Sequence, residues 1–442
     1  MIKAIQLTNL CCNLIKRDLL KNRLSMANLP YEKLNKLLFQ LYYSGFLNYN
    51  ELSNDKNIKK LEDLGFLKTI EIDDSQLEAK AEELKKQYQH YPIAHVEAIN
   101  LELTYECNSN CPHCLLKSVR KSYHGKELTY EKIKQTIADA YFAGLLQNGV
   151  NFTGGEALLA KIDIFDLIRY ASSYGIPTRL FTNSFWGSKV LFKAGNQRFT
   201  SALALIKVLK KSGLSHLALS FDSRIDKDKS GIKQLTSVIH ACETIGLNYE
   251  LMSSEEVKTQ LDSFIKYLKT TLELKELTFM TPITMDLVDM GGANDNTSKP
   301  LNHLFIKDLI SHSLCKSKGF YQPSMLTIAP DGSLRSCMYG LGMCNLGNIH
   351  VQSLYKIVND FSDEVTQAFA DKSAFELADL LFEPYKNIYK PFSHPCSACV
   401  LLARLMQEYY QLVKTQTVSE KDILAINLHV AKDLNLLKVD IS

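Results

Sequence analysis

Three cysteines, Cys107, Cys111 and Cys114, crowd into the stretch TYECNSNCPHC (Thr104–Cys114). Thiolates ligate zinc and iron-sulfur clusters, and in a reducing compartment closely clustered cysteines serve metals or catalysis rather than disulfides. The chain has 11 cysteines, an odd number that cannot pair completely. Two chemistries are open at the triplet. Zinc takes four ligands, and His113 or His124 could complete the set, although zinc knuckles are built from two spaced pairs rather than a compact triplet. A 4Fe-4S cube has four irons, so three thiolates leave one iron open to a substrate or cofactor. A second group, Cys315, Cys337, Cys344, Cys396 and Cys399, follows about two hundred residues later. Cys11, Cys12 and Cys242 have no partners at ligand spacing and are expected in the core.

Composition narrows the possible classes. At 442 residues the chain exceeds one ordinary core, so two or three units are expected. Hydrophobic residues at 46% and charged residues at 22% are ordinary for a soluble globular protein, and a net charge of +3 creates no strong field. A nucleic-acid partner is therefore not expected. No cationic start and apolar run marks a secretory signal, and no stretch reaches the roughly 18 apolar residues of a spanning helix. The expectation is a cytoplasmic protein with no membrane partner.

The elements that must position the cysteines follow from periodicity. Up to about Tyr91 the pattern is helical, near Cys12–Lys21, Tyr31–Tyr43 and Ile58–Leu64, with Phe66–Ile72 as a strand. MIKAIQL is the one other candidate strand there. The charged run Ala81–Pro92 reads as a helical linker. From Ala98, strands alternate with amphipathic helices. The strands are Ala98–Thr104, Gly149–Gly154, Pro177–Asn183, His216–Asp222, Asn248–Ser254 and Lys275–Met280. The helices are Tyr130–Leu146, Ile164–Tyr174, Ser201–Lys211, Ile232–Ile245 and Val257–Leu272. Such alternation implies parallel pairing through right-handed crossovers, in either an open doubly wound sheet or an incomplete barrel. Met290–Pro300 reads as a break, Tyr321–Cys337 as a hairpin turning at Asp331-Gly332, and Leu401–Val413 and Glu420–Leu437 as helices.

The triplet thus follows the carboxyl end of the first strand, where α/β folds gather their ligands. The second strand ends in Thr153, Gly154, Gly155 and Glu156. Two glycines let a ligand approach the backbone, and a glutamate can accept from an ammonium group. C-x3-C-x2-C followed by G-G-E at the second strand resembles the radical S-adenosylmethionine (SAM) superfamily, over roughly Ala98 to Met280.

The resemblance implies an α/β chain with a partial (β/α)6 TIM-like barrel. Cys107, Cys111 and Cys114 would hold a 4Fe-4S cluster whose open iron chelates SAM, and Gly154, Gly155 and Glu156, after Thr153, would receive the methionyl amino group. His113 stands where such enzymes commonly place an aromatic residue beside the adenine. Asn183, Ser220 and Asp222 match polar positions lining the ribose and carboxylate, with helix caps or turns as their alternative roles. Reductive cleavage of SAM would release a 5'-deoxyadenosyl radical that abstracts hydrogen from a substrate, the protein orienting reactants and excluding water. A flavodoxin- or ferredoxin-type protein would donate the electron.

Cys337 completes G-x4-C from Gly332, and Cys396 and Cys399 form C-x2-C. This resembles the SPASM and twitch auxiliary-cluster extensions, and implies one auxiliary 4Fe-4S cluster on Cys315, Cys337, Cys396 and Cys399. Cys344 is left over, as a buried thiol, a substitute ligand or a catalytic hydrogen donor. Trp186 is expected to pack. The resemblance divides the chain into residues 1–92, a helical and winged-helix-like peptide-recognition domain with its linker, residues 93–290, the barrel, and residues 291–442, a twitch/SPASM-like hairpin with helices. The substrate it implies is a ribosomally made precursor peptide, to be crosslinked, epimerised or oxidised. A small-molecule substrate is the alternative among enzymes, and a non-enzymatic iron-sulfur or zinc regulator the alternative outside them.

Overall fold

The structure is a computed structural model that describes residues 1–52, 55–89, 96–122, 127–221, 229–285, 288, 324–341, 345–359, 364–370, 373–390, 394–434 and 436–438. The break at Met290–Pro300, together with His124, Asp222, Cys315 and Cys344, lies outside them.

The N-terminal elements are β1 (Ile2–Leu7), α1 (Asn9–Lys16), α2 (Leu20–Met26), α3 (Tyr31–Ser44), β2 (Phe46–Asn48), α4 (Tyr49–Leu52), α5 (Lys56–Asp63), β3 (Leu67–Ile72) and α6 (Leu77–Gln89). β1 is the centre of an antiparallel sheet ordered β2-β1-β3, so the MIKAIQL segment does supply a strand. The helix expected over Cys12–Lys21 is split, because Asp18 adopts a left-handed conformation (φ 55°) between α1 and α2. Such a conformation ends a helix, and Asp tolerates it better than most residues.

The charged run read as a linker is instead docked. Leu84 and Tyr88 of α6, one turn apart, are buried against the small sheet. The Tyr88 hydroxyl accepts from the Leu7 N–H (3.1 Å) and donates to the Gly45 carbonyl. Two apolar residues make a stripe too short to stand out among Lys, Glu and Gln, yet it suffices beside a buried hydrogen bond. These N-terminal elements rest on the next unit through Asn13 Nδ2 donating to Ala143 O (3.1 Å), Arg23 Nε to Phe142 O (3.1 Å), and Phe66 stacked on Phe142.

The central unit runs β4 (Ala98–Thr104), α7 (Lys117–Ser122), α8 (Tyr130–Phe142), β5 (Gly149–Gly154), α9 (Ile164–Ser173), β6 (Thr178–Thr182), β7 (Phe192–Ala194), β8 (Gln197–Phe199), α10 (Ala202–Lys211), β9 (His216–Ser220), α11 (Lys229–Ile245), β10 (Tyr249–Ser254), α12 (Lys258–Thr271) and β11 (Met280–Met285). β4, β5, β6, β9, β10 and β11 pair in parallel and in chain order. A doubly wound sheet reverses that order at a switch point, and this one does not. The fold is therefore mixed α/β with a parallel-rich central sheet.

One strand differs from expectation. The sixth was placed at Lys275–Met280, but β11 begins at Met280 and contains Pro282 opposite Leu251. A proline lacks the N–H of a ladder and is confined to sheet edges. Among the described residues β11 has β10 as its single partner, so the proline is tolerated there.

Beyond it come β12 (Met325–Ile328), β13 (Ser333–Arg335), β14 (Asn345–Asn348), α13 (Leu354–Asn359), α14 (Glu364–Ala370), α15 (Ser373–Leu381), α16 (Pro395–Val413) and α17 (Glu420–Asp433). β12 and β13 form a hairpin at Asp331-Gly332, and β12 pairs in parallel with β4, so the hairpin extends the central sheet past its first strand. The helices from α14 onward enclose a second apolar cluster, separate from the main core. Among the described residues no helix is long and apolar enough to cross a membrane.

The two faces of the central sheet differ in chemistry. Ile99, Leu101, Val150, Phe152, Leu180 and Leu217 are buried in the main core with helix residues such as Ile133 and Ile137. The opposite face carries a polar row, since the register aligns His216, Arg179, Asn151, Asn100, Thr327 and Arg335 across six strands.

Candidate functional site

The triplet occupies the loop between β4 and α7, and Cys107, Cys111 and Cys114 are all half-buried and outside any disulfide. α7 reaches back to brace the loop: Arg120 donates from Nη1 to Ser109 O and from Nη2 to Cys107 O, at 3.0 Å each. The Ser109 N–H points at Cys107 Sγ (3.4 Å), and the Cys114 N–H closes a turn on Cys111 O (3.3 Å). His113 sits half-buried in that turn. Burial pushes the Cys107 thiol up; the Ser109 N–H and Arg120 oppose that, while Glu156 and Cys114 add to it.

The glycine pair has a structural duty. A Cβ on Gly154 (φ 120°) would stand 2.3 Å from Thr104 O, and one on Gly155 would stand 2.4 Å from Glu106 O. Side chains are thus excluded by the chain's own backbone at the exit of β4. Gly155 N–H donates to Thr104 O (2.7 Å) and Glu156 N–H to Glu106 O (2.9 Å), which seats the end of β5 directly beneath the cysteine loop. The Glu156 carboxylate is buried, accepting from the Leu158 N–H (3.2 Å) at Oε1 and from the Asn183 N–H (2.7 Å) at Oε2. It ties β5 to the exit of β6.

Asn183 is the junction of the site. Its Nδ2 donates to Asn108 Oδ1 (2.9 Å) and Ser109 Oγ (3.1 Å) and lies 3.7 Å from Cys107 Sγ. Its Oδ1 accepts from the Phe185 N–H (3.0 Å). The residue therefore combines a turn with a hold on the cysteine loop. Thr153 and Ser220, both half-buried, lie further along the sheet, the first paired with Glu102 and the second with Met252. Trp186 is fully buried, donates to Thr182 Oγ1 (3.2 Å) and stacks on Phe192, as its packing role requires.

Sequence reasoning missed the polar face. Asn151 Nδ2 donates to Asn100 Oδ1 (2.8 Å), and Asn100 Nδ2 to Thr327 Oγ1 (3.3 Å). Arg335 pairs with Glu102 (2.6 Å), which also accepts from the Tyr105 hydroxyl (2.8 Å), and all but Tyr105 of these are buried. Burial pushes the Glu102 carboxyl up against the pull of Arg335 and Tyr105. Arg179 pairs with Glu250 and lies over Phe181 (4.6 Å). An alternation of polar residues inside strands was the available signal.

In the second group, Cys337 follows β13, while Cys396 and Cys399 lie within the first five residues of α16, where His394 Nδ1 accepts from the Cys396 N–H (3.1 Å). All three are half-buried, outside disulfides, and packed against the second apolar cluster. Leu115, the neighbour of Cys114, packs against the same cluster, so both cysteine groups border one region.

The donor chemistry fits iron-sulfur clusters. Among the described residues no three His, Cys, Asp or Glu side chains are arranged to hold a single metal ion. Among the described residues, Arg335 Nε, Ser336 Oγ and Ser397 Oγ, next to the second group in sequence, are buried without a hydrogen-bond partner.

Comparison with known proteins agrees with this geometry. Residues 101–240 match the Radical SAM superfamily. That family binds a 4Fe-4S cluster and SAM. The PqqA peptide cyclase of Bradyrhizobium diazoefficiens is 34% identical over 124 residues, and that of Rhodopseudomonas palustris 31% over 124 residues. Each alignment covers 28% of this chain and 28% of the relative, so the match spans little more than a quarter of their length. Among solved structures, Streptococcus suis SuiB bound to its precursor peptide SuiA aligns with 73% of this chain and 79% of its own, at 14% identity and a TM-score of 0.37.

Proposed function

We propose that the whole chain is a radical SAM enzyme that abstracts hydrogen from a ribosomally synthesised precursor peptide. The observation that carries this is the cysteine loop at the exit of β4, locked to β5 by Gly154-Gly155 and to β6 by Asn183. Cys107, Cys111 and Cys114 would hold a 4Fe-4S cluster with SAM at its open iron, which together supply a 5'-deoxyadenosyl radical. Around it the chain's own groups orient reactants. Arg120 and Asn183 hold the loop in shape, Glu156 fixes the neighbouring strand ends, and the polar face of the sheet offers donors and acceptors to a substrate. His113, Thr153 and Ser220 are assigned to the SAM pocket along with Asp222, which lies outside the described residues.

A peptide substrate is supported by the PqqA peptide cyclase relatives. It is also supported by the small N-terminal sheet, in which β3 has β1 as its one strand partner among the described residues and so offers an edge for strand addition. The units we assign are residues 1–92 for peptide recognition, 93–290 for a partial six-stranded barrel, and 291–442 for a twitch/SPASM-like extension. Cys315, Cys337, Cys396 and Cys399 would hold an auxiliary 4Fe-4S cluster, with Cys344 as a hydrogen donor. A flavodoxin- or ferredoxin-type protein would supply electrons, in a reducing cytoplasm that keeps these cysteines out of disulfides.

Assays with Cys114→Ala and Cys399→Ala test the division of labour. The first is expected to abolish release of 5'-deoxyadenosine. The second is expected to keep uncoupled release while losing the mass change in a co-expressed precursor peptide. Equal loss of SAM cleavage in both variants contradicts the assignment.

A further inference from the structure

We propose that the side chains of Arg335, Ser336 and Ser397 are hydrogen-bond donors to the sulfurs of the auxiliary cluster and hold its reduction potential up. This rests on the reading of Cys337, Cys396 and Cys399 as ligands of that cluster. Arg335 and Ser336 immediately precede Cys337, and Ser397 immediately follows Cys396. The three residues are only 3%, 2% and 1% exposed, and Arg335 Nε, Ser336 Oγ and Ser397 Oγ have no hydrogen-bond partner among the described residues.

A buried donor left without a partner costs about 1–3 kcal/mol. Of the eleven buried side-chain atoms without a partner among the described residues, three flank two of the three described cysteines of this group, a concentration that acceptors at the cysteines would account for. Cluster sulfides and thiolates are acceptors of that kind. Reduction adds negative charge to the cluster, so donors aimed at its sulfurs favour the reduced state and raise the potential. Second-shell hydrogen bonds of this type are a general means of tuning a metal site.

Arg335 adds geometry to the argument. Its Nη2 is held 2.6 Å from Glu102 Oε2, which also accepts from the Tyr105 hydroxyl (2.8 Å). Tyr105 stands two residues before Cys107, and Arg335 two residues before Cys337. The ion pair thus bridges the chain leading into one cysteine group and the chain leading into the other. Nη2 is engaged by Glu102, while Nε is buried without a partner among the described residues.

Ser336→Ala, Ser397→Ala and the double variant test this in the full-length protein, purified anaerobically with both clusters. Each substitution removes a hydroxyl that has no partner when the cluster is absent. The metal-free variants are therefore expected to melt no lower than the metal-free wild type. In the loaded protein, redox titration followed by electron paramagnetic resonance is expected to show the auxiliary potential lowered, most in the double variant. The potential of the SAM-binding cluster and the iron content should stay as in the wild type. An unchanged auxiliary potential at full iron content would overturn the proposal and leave the auxiliary site standing. A wild-type protein holding iron for one cluster alone would overturn the auxiliary site and the tuning with it.

Discussion

At the scale of single residues, the site depends on close approach. Gly155 lies where a Cβ would meet Glu106 O at 2.4 Å and Tyr105 O at 2.8 Å, and neither backbone atom can swing aside as a side chain would. Gly155→Ala is therefore expected to destabilise the protein by about 1–3 kcal/mol through overpacking and to lower cluster retention, read as iron per chain after desalting. Asn183→Ala removes two donors to the cysteine loop and the acceptor of the Phe185 N–H. A loss of about 1–3 kcal/mol is expected, with SAM affinity falling more than overall secondary structure by circular dichroism. The cysteine triplet and Gly-Gly-Glu were legible in the sequence because ligand spacing is local. What the glycines touch was not, since Thr104–Glu106 and Gly154–Glu156 meet across some fifty residues of chain. Nor could a sequence show that Glu156 is already occupied by two backbone N–H groups.

At the scale of elements, five of the six central strands sit where alternating apolar runs place them, and the helices between them agree to within a few residues. The sixth lies further along, at Met280–Met285, where Pro282 sits in a strand whose one partner among the described residues is β10. The hairpin at Asp331-Gly332 was visible from its turn, but its parallel pairing with β4 was not, since no local pattern encodes contacts across more than two hundred residues. That pairing places Arg335 against Glu102 in a buried ion pair. Glu102→Met or Arg335→Met alone is expected to cost about 3–5 kcal/mol by leaving one charge buried without its partner. The double replacement Glu102→Met with Arg335→Met should recover most of that loss in chemical denaturation. Additive losses would show that the two side chains do not interact.

At the scale of the whole molecule, the C-terminal segment completes the sheet it follows. β12 covers the edge of β4 that would otherwise present unpaired backbone groups, and the second apolar cluster packs against Leu115 in the cysteine loop. A chain truncated after Met290 is expected to aggregate, with little soluble protein by size-exclusion chromatography, whereas an autonomous central unit would elute as a monomer. The N-terminal elements are joined in a similar way, through Asn13, Arg23 and Phe66 onto α8 and the residue after it.

The central claim is that three thiolates grip a cluster and leave one iron for SAM. The most direct measurement is electron paramagnetic resonance of the anaerobically reconstituted, reduced protein before and after addition of SAM, with 5'-deoxyadenosine measured in the same sample. The account predicts a cluster signal that changes on SAM binding, that disappears in Cys114→Ala, and that accompanies release of 5'-deoxyadenosine. A signal indifferent to SAM, or a protein that binds zinc and no iron, would contradict it.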